Sequence, residues 1–337
     1  MVTIKDLAAE AGVSVATASR VLSGARQVRE SSAERVHAAA ERLGYRPNGV
    51  ARALRLQTSE VVGVVVPEIA NPFFPRLVQA VERSLQRSGR AIMLCDSQGD
   101  PHLEANRVEL LLDRRVDALV IVPSGERVTR RVLTQAARST PVVQVDRRVE
   151  GVPSDYVTVD HRSGIGDVLA HLDRGGIRTA AFVGASSDLP AVRTRLEAYQ
   201  EGMRRRDVRS AERVHLGEFS VEWGREAVDK LMADEMPDAL VCANDLIAVG
   251  VLQGLRAHSL RVPADVAVTG FDDAGFATAT DPALTTVRQP MEGLGRAAAE
   301  LLERRMSGDR DELRTVTLQP QLIRRDSTPS TAESPIT

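Results

Sequence analysis

The sequence predicts two architectures in one chain: an all-α unit of three short helices, then a two-lobed α/β body built on parallel sheets. Three observations predict it. Helix-capping and helix-stopping residues recur within the first fifty positions. From Val61 onward, short β-branched runs alternate with helical stretches of roughly ten to fifteen residues. That alternation breaks near 146–160 and again after 285, which fits two lobes with crossing connections better than one continuous sheet.

The first helix is expected over 3–11. Thr3 can cap it, Asp6 stands three positions on, and Ile4, Leu7, Ala8 and Ala11 recur at helical spacing. Gly12-Val13 makes a turn, and Ser14 caps a second helix running to about Leu22, closed by Ser23-Gly24. Ser31 with Glu34 signals a third helix, to Leu43, closed by Gly44. Pro47 opens a linker in which Asn48 can cap one further short helix, Gly49 to Arg55. The expected strand runs are Val61–Pro67, Ala91–Cys95, Ala118–Pro123, Pro141–Val145, Thr179–Gly184, Ala239–Ala243 and Val266–Gly270. Each is apolar on consecutive positions, as in strands buried on both faces. The closing Ser327–Thr337, rich in Ser, Thr and Pro, reads as a disordered tail.

At 337 residues and 43% hydrophobic, the chain can bury a large core. It has no run of roughly 20 apolar residues that would span a membrane. Its start lacks the basic-then-apolar layout of a secretion signal, so a cytoplasmic protein is expected. Cys95 and Cys242 lie in apolar runs and are expected to be buried and reduced, and the histidines have no metal-ligand spacing. The net charge of −2 hides an asymmetry. Residues 1–59 carry a net +4 and the remainder −6, which suits a head that meets a polyanion, though small basic domains are common.

On the helix 14–22, Val15, Ala16, Ser19 and Arg20 share one arc, while Ala18, Val21 and Leu22 lie on the other side, to pack on the first helix. If the pair is a helix-turn-helix, the exposed arc enters the major groove. Arg20 can then bind guanine O6 and N7 through two parallel hydrogen bonds, and Val15 and Ala16 can meet thymine methyls. Thr3, Ser14, Thr17 and Ser19 can donate to phosphates and fix register. An ordinary three-helix subdomain with a solvated Arg20 stays open on spacing alone.

The run Val2-Thr3-Ile4-Lys5-Asp6-Leu7-Ala8-Ala9-Glu10-Ala11-Gly12-Val13-Ser14-Val15-Ala16-Thr17-Ala18-Ser19-Arg20-Val21-Leu22-Ser23-Gly24 resembles the headpiece signature of the LacI/GalR family of bacterial repressors. Ala18 stands where that family usually has valine. The resemblance continues through Tyr45-Arg46-Pro47-Asn48, the entry to the family's hinge helix, and reaches Leu322-Ile323-Arg324-Arg325-Asp326-Ser327, like its closing strand. It implies a dimer whose paired hinge helices lie in the minor groove, with Leu54 of each wedged into the central base step. Arg26 and Asn48 complete the expected DNA-contact set. The implied layout is a headpiece over 1–46, a hinge over 47–59 and an effector and dimerisation domain over 60–326. The first lobe of that domain takes about 60–160 plus 290–320, and the second about 161–289 plus 321–326.

The body also resembles periplasmic sugar-binding proteins of the ribose type, in which two lobes close over a sugar. Matching positions are Asn71, Phe73 and Phe74 after the first strand, Asp146-Arg147, Asp160, Arg195, Phe219, Asn244, Phe271-Asp272 and Gln289. Most follow strand C-terminal ends, where open α/β sheets bind ligands. Carboxylates, amides and arginine forks suit vicinal hydroxyls, and phenylalanine faces suit sugar C–H groups. Each has a plainer reading: Phe74 and Phe271 as core, Asp146-Arg147 as a lobe-bridging pair, Asn244 as a helix cap.

No nucleophile elbow, phosphate-cradling loop or dinucleotide fingerprint occurs, and Gly164-Ile165-Gly166 reads as helix packing, so no enzyme, cofactor, metal or catalytic residue is expected. The expected function is a dimeric repressor of a palindromic operator, controlled by ribose or another monosaccharide. The alternatives are a corepressor-dependent regulator responding to a nucleoside or purine, and a non-regulatory sugar-binding protein.

Overall fold

Thr3 opens the first helix in the way its spacing to Asp6 requires. Its hydroxyl accepts from the Asp6 N–H at 3.4 Å, and the Asp6 carboxylate accepts from the Thr3 N–H at 2.8 Å. The structure, a computed structural model, describes residues 2–22, 28–45, 58–186, 190–206, 210 and 213–329. They fall into two units, Met1–Ser59 and Glu60–Thr337.

The first unit holds α1 (Ile4–Glu10), α2 (Val15–Leu22) and α3 (Glu30–Leu43). Ser14 caps α2 by accepting from the Thr17 N–H at 3.1 Å. Leu7, Ala8, Ala11, Ala18, Val21, Val36 and Ala39 form the core, and Arg42 pairs with Glu10 at 3.1 Å between α3 and α1. The expected Ser31 cap is not used. The helix begins at Glu30, with Arg29 extended at the cap position and no side-chain cap bond, so Ser31 lies inside the first turn. Gly44, at φ 59°, closes it in the left-handed region, as its sequence position predicts.

The second unit runs β1 (Val61–Val66), α4 (Phe73–Gln86), β2 (Ala91–Asp96), α5 (Pro101–Asp113), β3 (Ala118–Ile121), α6 (Arg127–Ala136), β4 (Val142–Val145), β5 (Asp155–Val159) and α7 (His161–Arg174). It continues through β6 (Ala180–Ala185), α8 (Pro190–Arg204), β7 (Val214–Gly217), α9 (Val221–Leu231), β8 (Ala239–Cys242), α10 (Asp245–Ala257) and β9 (Ala267–Asp272). A 3-10 turn at Gly275–Thr278 precedes β10 (Thr285–Arg288), α11 (Met291–Met306), β11 (Thr315–Leu318) and β12 (Gln321–Ile323).

Two six-stranded sheets result, ordered β11-β5-β4-β3-β1-β2 and β12-β10-β9-β8-β6-β7. All pairings are parallel except β10 with β12. The chain crosses between the lobes three times: from β5 into α7, from β10 into α11, and from β11 into β12. In the first lobe α4 and α11 cover one face of the sheet, and α5 and α6 the other.

Three expectations change. Strand β2 is an edge strand with Met93 and Leu94 exposed, and Cys95 on it is half-buried, whereas Cys242 is buried. Ser327 and Thr328 do not belong to a disordered tail: both are buried. The Ser327 hydroxyl donates to the Val268 carbonyl at 2.6 Å and accepts from the Thr285 N–H at 2.8 Å. Residues 330–337 lie outside the described residues. Of the two α7 glycines, Gly164 packs on Val287, Phe271 and Pro320, but a Cβ on Gly166 would meet nothing within 4 Å.

The surroundings of two helix-interior glycines, Gly166 in α7 and Gly250 in α10, predict opposite effects of one substitution. Gly166→Ala should stabilise the protein by about 0.5–1 kcal/mol, because a helix-interior glycine loses more backbone entropy than alanine. Gly250→Ala should destabilise by about 1–3 kcal/mol, since its Cβ would overlap the Val221 carbonyl and the Gly224 backbone where α9 and α10 touch. Thermal unfolding of the two variants measures both signs, and equal shifts would contradict the packing described.

Candidate DNA-reading helix and effector cleft

The first unit presents the predicted arc of α2 to solvent. Val15 is 42% exposed, Ala16 and Arg20 are exposed, and Ser19 is half-buried. Ala18 and Val21 are buried and Leu22 packs against the core. The small residues let α2 sit close to α1, so that Val15, Ala16 and Arg20 project from a rigid face. The Ser14 and Thr17 hydroxyls lie 2.9 Å apart, and the Thr3 hydroxyl donates to Asp6 at 2.8 Å. The Thr3 backbone N–H and then the Thr3 hydroxyl, both donating to Asp6, hold its carboxyl below its usual range. Arg26, Asn48 and Leu54 lie outside the described residues.

In the second unit one cavity is lined by Asn71, Phe73, Phe74, Asp146, Arg147, Ala191, Val192, Arg195, Phe219, Asn244, Asp272 and Gln289. The structure thus brings together ten of the twelve positions expected to meet an effector. Every one lies at or beyond a strand's C-terminal end. Asn71, Phe73 and Phe74 follow β1, Asp146-Arg147 follows β4, Arg195 lies on the helix after β6, and Phe219, Asn244 and Gln289 follow β7, β8 and β10, while Asp272 ends β9. The first five belong to one lobe and most of the rest to the other, with Gln289 at a crossing.

Two expected residues stand elsewhere. Asp160 caps α7, its carboxylate accepting from the Ser163 N–H at 2.9 Å. Phe271 is fully buried behind the cavity, with the Arg195 guanidinium 3.9 Å from its ring centre. Ala191 and Val192 were not anticipated; they lie one helical turn before Arg195 on α8, so helical spacing from Arg195 finds them. Asn244 has both characters, lining the cavity while its side chain accepts from the Ile247 N–H at 3.0 Å to cap α10.

The cavity sets two carboxyl groups, Asp146 and Asp272, beside two guanidinium groups, Arg147 and Arg195. Arg147 lies 3.7 Å from Asp146, and its guanidinium is 5.6 Å from the Phe74 ring and 6.0 Å from the Phe219 ring, which belongs to the other lobe. Arg195 donates from Nη1 to the Ala243 carbonyl at 2.8 Å and from Nε to His161 Nδ1 at 3.2 Å, and its Nη2 lies 3.9 Å from Asp272. Gln289 donates to Asp272 at 2.7 Å. Behind them, Asp273 accepts from Arg288 at 2.6 Å and Arg325 at 2.5 Å, and its carbonyl accepts from Arg76 of the first lobe at 2.5 Å. Asp245 accepts from the Thr286 hydroxyl at 2.5 Å and the Ala274 N–H at 2.6 Å.

Burial dominates the electrostatics. It raises Asp146 against the pull of Arg147 and Arg195, and it lifts Asp272 to about 7 despite Arg195 and the Gln289 hydrogen bond. Burial and then Asp272 push Asp245 well up. Two buried acceptors facing this region, Asp146 Oδ1 and Gln289 Oε1, have no hydrogen-bond partner among the described residues. The backbone is strained at the same place: φ is 63° at Asp146, 114° at Asp272 and 52° at Asp273. Such a site offers acceptors to hydroxyl or N–H donors, two guanidinium groups to oxygens, and aromatic faces to C–H groups. Among the described residues no group of three or more metal-ligating side chains occurs, and no helix is long and apolar enough to cross a membrane.

Comparison with known proteins assigns both units. Residues 3–48 match the model of bacterial regulatory proteins of the lacI family, and residues 169–328 that of a periplasmic binding protein-like domain. The ribose operon repressor of Escherichia coli (strain K12) is 34% identical over 331 residues, covering 97% of this chain and 100% of the relative. The HTH-type transcriptional repressor PurR of Haemophilus influenzae (strain PittEE) is 32% identical over 337 residues, covering 98% and 99%. Among solved structures, the Lac repressor dimer bound to operator and the anti-inducer ONPF superposes with a TM-score of 0.88 at 26% identity, covering 98% of this chain and 99% of that one. A LacI family transcriptional regulator from Enterococcus faecium with bound ribose gives 0.71 at 26%, covering 80% and 98%. The chain belongs to the lacI family of bacterial regulatory proteins: it is a DNA-binding transcriptional repressor with a small-molecule effector domain, and not an enzyme.

Proposed function

We propose that this repressor binds a palindromic operator as a homodimer in the cytoplasm and is released from it by a small neutral sugar, ribose before other monosaccharides. The observation that carries the sugar assignment is the pair of buried acceptors without partners among the described residues, Asp146 Oδ1 and Gln289 Oε1, in a cavity where two carboxyl groups stand beside two guanidinium groups. A neutral polyol supplies hydroxyls to both without adding charge, whereas a phosphorylated sugar would bring unbalanced anionic charge into a buried site. The ribose named with the E. coli relative and bound in the E. faecium regulator supports the same choice. The free space in the cavity is about 30 Å³, room for about two or three waters. Entry of a pentose therefore requires the lobes to part, at the Arg76–Asp273 contact and where Arg147 meets Phe219.

In the headpiece, Arg20 reads a guanine, Val15 and Ala16 meet thymine methyls, and Thr3, Ser14, Thr17, Ser19 and Arg26 hold phosphates. Asn48 and Leu54 act in the hinge, where a wedge at the central step bends the duplex. A nucleoside or purine corepressor is the alternative the sequence leaves open, so nucleosides and purines belong in the same screen.

A thermal-shift screen tests the proposal. Ribose at 100 times its Kd should stabilise the protein by about 2.7 kcal/mol. Arg195→Ala or Asp272→Ala should abolish that shift; a shift given by nucleosides or purines and not by ribose would reassign the cleft. Arg20→Ala should keep the ribose shift and weaken operator binding by roughly 10–100-fold, the cost of one bidentate base contact.

Proton linkage gives a further expectation. Below about pH 7 the folded Asp272 holds a proton that a hydroxyl donating to its carboxylate must displace. Ribose affinity should therefore rise between pH 6 and 7, by at most about tenfold per unit for one proton, and level off above. Calorimetric titration at pH 6, 7 and 8 reads it, and affinity that falls with pH would rule out this role for the carboxylate.

A further inference from the structure

His161 opens α7 at the first crossing between the lobes, directly after the Asp160 cap, and it does not line the cavity. It is 4% exposed. Its Nδ1 lies 3.2 Å from Arg195 Nε, and its ring stands 5.7 Å from Phe271. The same Phe271 carries the Arg195 guanidinium on its face at 3.9 Å, and the Ala243 carbonyl takes Arg195 Nη1 at 2.8 Å. Arg195 is thus held from three directions, leaving Nη2 toward Asp272 and the cavity.

We propose that His161 is the positioning residue of the effector cleft: a neutral imidazole whose Nδ1 accepts the Arg195 Nε–H and fixes the guanidinium fork for the ligand. The inference rests on the reading of the cleft as a sugar site.

The chemistry permits one protonation state. Arginine stays protonated in proteins and has no acceptor, so Nδ1 must carry a lone pair and the ring proton must sit on Nε2. A second proton would set an imidazolium against the guanidinium. Burial and Arg195 hold the ring's pKa well below its ordinary value, which keeps it neutral. Nε2 is buried with no hydrogen-bond partner among the described residues. A purely structural histidine gains nothing from that arrangement, since its donor is orphaned while its acceptor is spent on Arg195. Gly164, one turn on, fixes the start of α7 against Phe271, so the imidazole has a rigid mount.

The test compares five proteins by ribose titration: the natural chain, His161→Leu, His161→Asn, Arg195→Ala, and the Arg195→Ala/His161→Leu pair. His161→Leu should weaken ribose binding about tenfold or more, the loss of a hydrogen bond to a charged group. His161→Asn, whose Oδ1 can accept in place of Nδ1, should restore most of it. The pair should bind no more weakly than Arg195→Ala alone, because His161 acts through Arg195. Additive losses, or no rescue by asparagine, would overturn the proposal. If the natural chain ignores ribose, the sugar reading fails by itself, and a ligand-free measurement decides the fate of His161. In ¹⁵N spectra of the histidine rings, with the His161 signals assigned by their loss in His161→Asn, the ring should be the neutral Nε2–H tautomer at pH 7. Its Nδ1 resonance should shift when Arg195 is replaced by alanine. An Nδ1–H or doubly protonated ring, or an Nδ1 signal indifferent to Arg195, excludes the role.

Discussion

Four charged side chains meet where the two lobes of the body face each other, and the cleft is organised around keeping them there. Asp146 and Arg147 come from the end of β4 in one lobe, Arg195 and Asp272 from α8 and β9 in the other. Removing an ion from water costs several kcal/mol unless pairing and hydrogen bonds replace the solvent. Here the replacement is incomplete: the pairs are long, at 3.7 and 3.9 Å, and Asp146 Oδ1 and Gln289 Oε1 lack partners among the described residues. A ligand that brings hydroxyl donors completes the set.

The quartet keeps its geometry because a second layer holds its backbone. Asp273, next to Asp272, is gripped by Arg288 and Arg325 and linked through its carbonyl to Arg76 across the lobes. Asp245 ties the 274 turn to β10 through the Ala274 N–H and the Thr286 hydroxyl. Ser327 and Thr328 reach the same strands: Ser327 bonds to Val268 and Thr285, and the Thr328 hydroxyl lies 2.9 Å from that of Thr285. In the first lobe, Asp155 is gripped by Arg305 at 2.8 Å and by the Arg314 N–H at 2.7 Å, which anchors the returning α11 and β11. Burial opposes ionisation of Asp155, yet these hydrogen bonds still hold its carboxyl below the usual range.

What could be read from the sequence follows from what each signal measures. Consecutive β-branched residues mark strands buried on both faces, and β1, β3, β4, β6, β8 and β9 appear where those runs stand. Strands β5, β7, β10 and β11 carry polar residues within short segments, such as Asp155, His215, Thr285 and Thr317, and give no such run. Composition misleads at Ser327 and Thr328, because serine and threonine in a buried hydrogen-bonded network look like tail residues in a list. The cavity residues share loops after strands, which the alternating pattern locates. Phe271, near the end of β9, and Asp160, just after β5, stand at strand ends too, yet one turns to the core and the other to a helix cap, choices set by packing. His161 carried no signal, since its function lies in what it does to Arg195, 34 residues away.

The central claim is that a sugar in the cleft governs the headpiece, and operator binding under ribose titration tests it most directly. The anisotropy of a labelled operator duplex, bound by the full chain at fixed salt, should fall toward the free-DNA value as ribose is added. Anisotropy that is unchanged at saturating ribose, or operator binding that tightens with it, would contradict the account.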